Sequence, residues 1–112
     1  MTTDRDLQAK IDALRTSFTA GLATRFSEVD GALDAILPGL PLAGQSAPIT
    51  TILEHVHKIA GSAGTFGFGD MGAIASQAEQ LCERIQKNQH GDDEDALRAL
   101  RGMIADIHAE VE

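Results

Sequence analysis

The chain has 112 residues, a formal net charge of −8 at pH 7, no Trp or Tyr, four Phe and one Cys. That length suits one domain, residues 1–112, with a single modest core, and a hydrophobic content of 43% is that of a globular chain and not a disordered one. The acidity repels phosphate backbones and anionic membranes, so neither nucleic acid nor membrane is expected as a partner, and the lone Cys82 excludes an internal disulfide or a cysteine-cluster metal site.

No charged-then-apolar leader opens the chain, and no apolar run approaches the roughly 18 residues of a membrane span. The expected location is cytoplasmic. Residues 4–37 place Leu7, Ile11, Leu14, Phe18, Leu22, Phe26, Val29, Leu33 and Ile36/Leu37 at steps of three and four, a helical stripe. Asp4 or Asp6 could cap its start, and Gly21 is a candidate break. One long bent helix, or a short helix followed by a longer one, fits that pattern.

Pro38-Gly39-Leu40-Pro41 stops the helix, and residues 38–47 read as a loop. Ser46 and Pro48 suit the start of a second helix, whose stripe is Ile49, Ile52, Leu53, Val56, Ile59, Ala60 and Ala63. Gly64 to Gly69 make a turn. Asp70 could cap a third helix with Met71, Ile74, Ala75, Ala78, Leu81, Cys82 and Ile85 on its apolar side. Asn88 to Gly91 close that helix. Asp92 and Asp93 open a last one, with Leu97, Leu100, Ile104, Ile107 and Val111 as its stripe. Short loops between amphipathic helices predict an all-α, up-and-down antiparallel four-helix bundle, with room for a short extra helix at the N-terminus.

His57 lies one step off the apolar stripe of the second helix, and Gly61 follows one turn later. Glycine inside a helix costs roughly 1 kcal/mol relative to alanine. With Gly64 and Gly67 it clears bulk from one flank of the imidazole, as a close partner would require. Three readings of His57 stand: an idle surface histidine, a metal ligand, and a nucleophile carrying a phosphoryl group on a ring nitrogen. His55 and His57 point about 200° apart on a helix and cannot share a metal. His90 and His108 read as structural, and Cys82 as core. Gly67-Phe68-Gly69-Asp70-Met71-Gly72 spells a dinucleotide-binding pattern but follows a helix, not a strand.

The run from His57 through Gly61, Ser62, Ala63 and Gly67 resembles the signature of histidine-containing phosphotransfer (HPt) domains of two-component phosphorelays. The likeness extends through Phe68 and the Ala-rich helix to Leu81. It implies a phosphoryl carrier without kinase activity or a cofactor of its own. The phosphoryl group would pass to Nε2 of His57 from a receiver-domain aspartate, or from a hybrid or sensor histidine kinase, and on to another response-regulator receiver. Mg²⁺ would belong to the partner receiver, and the carrier would hold no metal. Gly61, Ser62, Gly64 and Phe68 would form the receiver-docking patch. By the same likeness Glu79 is the first choice to hold Nδ1 of His57, with Gln80 or Gln77 as fallback. Family members often carry Lys three residues after the histidine; here Ala60 stands there, and Lys58 is the candidate for charge support. A non-catalytic helical interaction module, with His57 unused, is the alternative.

Overall fold

The computed structural model describes residues 3–111. The chain forms four α-helices: α1 (Thr3–Ala35), α2 (Ser46–Ser62), α3 (Gly69–Gln86) and α4 (Asp93–Ala109). Short 3-10 turns at Leu42–Gly44 and Ala63–Phe66 lie in the connections before and after α2. Consecutive helices run antiparallel. α2 and α3 pack most extensively, α1 lies on α2, and α4 lies on α3. The seam between α1 and α4 is closed by side chains: Phe26 stacks on His108 with ring centroids 4.3 Å apart. This is the four-helix bundle that the sequence predicts.

One continuous core runs down the bundle, with Leu22, Val29 and Leu33 from α1, and Ile36 just past its end, meeting Ile52, Val56 and Ile59 from α2. Met71, Ala78, Leu81 and Ile85 complete it from α3, and Leu100, Ile104 and Ile107 from α4. No polar or charged residue is buried among the described residues. Fully burying one such aliphatic side chain stabilises by roughly 1.5–3 kcal/mol, so the stripes, more than local propensity, hold the helices.

Several sequence expectations are corrected. Among the described residues there is no separate short helix at the N-terminal end: α1 runs unbroken through Gly21 for 33 residues. Leu22 is buried immediately after that glycine, and its packing offsets the glycine's helical penalty of about 1 kcal/mol. Asp4 and Asp6 lie inside the first turn of α1 and so do not cap it. Asp70 likewise sits inside the first turn of α3, with Phe68 at the N-cap position. Val111 falls past the end of α4 and is exposed. Asp92 does cap α4, accepting from the Asp95 backbone N–H at 2.9 Å. Before α2 the Gln45 side chain staples the loop, accepting from the Leu37 N–H at 2.7 Å and donating to the Leu37 carbonyl at 3.0 Å.

The upstream part of the first stripe is not core. Phe18 packs on Phe66 and Phe68 with tilted rings, centroids 5.2 and 5.9 Å away, at the end of the bundle where α2 turns into α3. The described part of α1 before Phe18 projects beyond that end. Leu7 is 57% exposed and Leu14 56%. They have the right periodicity but no helix opposite, because α2 ends at Ser62.

Candidate functional site

Val56 and Ile59 point into the core and are buried. At about 100° per residue that geometry carries His57 to the edge of the α2–α3 seam. Its side chain is 70% exposed, whereas that of Glu79, reaching across from α3, is only 20% exposed. A carboxylate oxygen of Glu79 accepts from Nδ1–H of His57. Two turns away on the same seam, Gln86 Nε2 donates to Thr50 Oγ1 at 3.3 Å, so both pairs report one antiparallel register.

The register is set by the turn between the helices. Gly67 takes a left-handed conformation, φ +90°, which only glycine adopts without strain. The Phe68 N–H then donates to the Ala63 carbonyl at 2.9 Å. That reversal starts α3 at Gly69 and brings Gly72 against Ala60, Ala63 and Gly64. Glu79, two further turns along, arrives level with His57.

The contact with Glu79 fixes the ring. A carboxylate can only accept, so Nδ1 carries a proton, and in the neutral ring the lone pair is on Nε2. Nε2 has no hydrogen-bond partner among the described residues. A Cβ at Gly61 or at Gly64 would meet nothing within 4 Å, so the flank of the ring is bare.

The other histidines are committed elsewhere. Arg25 Nη1 donates to His55 Nδ1 at 3.3 Å, and His55 Nε2 donates to Glu28 at 2.5 Å. A guanidinium has donors only, so it fixes the Nε2–H tautomer and occupies the one nitrogen that could attack. His90 is half-buried with its ring turned inward, the side chain only 1% exposed and Nε2 on Asp93 at 2.5 Å. His108 lies under Phe26, with Nε2 3.3 Å from Asp30. Nothing in the local sequence announces the clamp on His55, whose partners lie about thirty residues upstream on another helix. Cys82 is fully buried, and burial pushes its thiol up to about 12, with smaller contributions from the Glu83 and Glu79 charges.

The remaining site residues divide. Gly61 and Gly64 are exposed and Ser62 is half-buried beside them. Phe68 is half-buried, its ring packed on Phe18 of α1. Gln77 and Gln80 are exposed, and neither is bonded to His57. Lys58 is exposed one step round the helix and forms no ion pair among the described residues. Among the described residues no group of three His, Cys, Asp or Glu side chains is placed to hold a metal ion.

A bundle of four antiparallel helices that presents one oriented, solvent-facing imidazole places the chain in the class of histidine-bearing helical bundles. The family profile of the Hpt domain matches residues 7–110, essentially the whole chain, and the chain belongs to that family. Hpt domains are phosphocarrier modules that act through a histidine in two-component phosphorelays, with receiver domains or kinases as partners. Comparison with curated proteins and with solved structures gave no match in either case. No helix among the described residues is long and apolar enough to cross a membrane.

Proposed function

We propose that His57 is the phosphoacceptor and that the protein shuttles phosphoryl groups between receiver-domain aspartates, or from a kinase to a receiver. The observation that carries this reading is the divided imidazole: Nδ1–H held by Glu79, Nε2 open to solvent on a bare flank. The Nε2 lone pair attacks the phosphorus of an aspartyl phosphate. The P–O bond to the aspartate breaks, and its electron pair leaves with the carboxylate. The proton stays on Nδ1, so the phosphorylated ring is cationic, and the Glu79 carboxylate beside it offsets that charge. Passing the group on reverses these events.

The protein supplies the nucleophile, its orientation and a clear approach. The divalent cation that neutralises the moving phosphoryl group belongs to the receiver. The carrier has no kinase activity of its own. Gly61, Ser62 and Gly64 form the floor on which the receiver seats. Lys58 supports the phosphoryl charge through its long, mobile stem, in place of the lysine that Ala60 does not provide.

The test is incubation with a phosphorylated receiver and Mg²⁺, followed by assay for acid-labile, base-stable phosphate on the protein. Wild type gains the label and His57→Gln gains none. Equal labelling of the two, or none on wild type, sinks the proposal and leaves the module reading in which His57 is unused.

A further inference from the structure

The stretch of α1 before Phe18 is a helical arm about 22 Å long, at 1.5 Å per residue, standing clear of the bundle. A helix of this length is marginal alone in water. Yet Leu7, Ile11 and Leu14 continue, without a break in spacing, the stripe that Phe18 and Leu22 bring into the bundle. The steps of four, three and four are those of a two-helix seam, where each apolar residue meets a like helix.

The charges name the partner. Asp4 and Asp6 lie at the tip of the arm and Arg15 at its base, where the guanidinium comes within 3.6 Å of the Cβ position of Gly67. A parallel copy would set Asp4 beside Asp4 and Arg15 beside Arg15, while Arg5 points away from the stripe on the far side of the helix. An antiparallel copy, with the two-fold axis beside Lys10 and Ile11, sets Leu7 opposite Leu14 and brings Asp4 of each copy to Arg15 of the other, while Lys10 swings its ammonium outward. The two bundles then lie at opposite ends and do not collide. We infer that the arm is a self-association surface and that its occupant is the arm of a second copy of this chain, packed antiparallel.

A strip of that length and one helix wide buries well under the 1,200–2,000 Å² of a standard stable interface. The dimer is therefore weak and reversible, with a dissociation constant between about 1 μM and about 1 mM. Nothing in it requires His57, so it stands or falls apart from the proposed function.

Sedimentation velocity from about 10 μM to about 1 mM tests it. The average mass should climb from the 11.8 kDa monomer toward twice that value. The Leu7→Asp/Leu14→Asp chain should stay monomeric throughout with unchanged helicity, because both side chains are exposed in the monomer. A wild type that stays monomeric, as it would if the arm served another protein or a preceding segment, overturns the inference. So does a double variant that dimerises as well as wild type. For orientation, a Leu7→Cys chain mixed with a Leu14→Cys chain should cross-link several-fold faster than either chain alone. Equal rates rule out the antiparallel register.

Discussion

Glu79 reaches across the α2–α3 seam to Nδ1 of His57 and leaves Nε2 facing solvent. A carboxylate, not an amide, holds the ring. On the proposed mechanism the phosphorylated ring is cationic, so the charge matters as well as the geometry. A hydrogen bond to a charged group contributes about 1.5–3 kcal/mol. Glu79→Gln keeps an acceptor but loses the charge and should slow transfer about tenfold. Glu79→Ala also frees the ring and should slow it about a hundredfold. Rapid-quench measurement of receiver-to-protein transfer reads both, and equal rates for the two variants would mean that orientation contributes nothing.

Gly61→Gln should move two observables in opposite directions. The position is helical and open, so replacing glycine gains up to about 0.5–1 kcal/mol of helix stability. The same side chain covers the flank of His57. Thermal unfolding should occur at an unchanged or higher temperature while transfer from the receiver falls at least tenfold. Unimpaired transfer would show that the bare flank is not the docking floor.

Cys82 should be unreactive toward thiol reagents at pH 8 in the folded protein and react fully in denaturant. Burial raises its pKa to about 12 from an ordinary 9.0. Between those values the unfolded chain has lost the thiol proton and the folded chain has kept it. Stability therefore falls as pH rises from about 9 toward about 12. Cys82→Ala should lack that component of the alkaline decline, measurable by denaturant unfolding at pH 8 and pH 10.

Asp93 should stabilise the α3–α4 connection at neutral pH and cease to do so in acid. Its carboxyl sits below its ordinary 3.8, chiefly through the hydrogen bond from His90 and further through the Leu42 backbone. A depressed carboxyl pKa adds stability that is present above the ordinary value and lost as pH falls through the folded one. Asp93→Asn should melt lower than wild type at pH 7, and the gap should narrow below about pH 4. A constant gap would place the effect outside this hydrogen bond.

The sequence by itself determined the four helices and the apolar face of each, because burial at three- and four-residue spacing leaves a periodic record. It also marked the candidate site: His57 off the stripe, and glycines that a helix tolerates only at a cost. Capping was less legible, since Asp4, Asp6 and Asp70 complement a helix dipole from inside the first turn as well as from the cap. Only the tertiary structure decided what depends on register between helices. It set Glu79, and not Gln77 or Gln80, against His57, because the Gly67 reversal fixes how far α3 has risen when it passes that ring. It clamped His55 between Arg25 and Glu28, turned Phe68 onto Phe18, and left Leu7 and Leu14 without a facing helix. Periodicity states that a face is apolar; what stands opposite it is a property of chain length and turn geometry elsewhere.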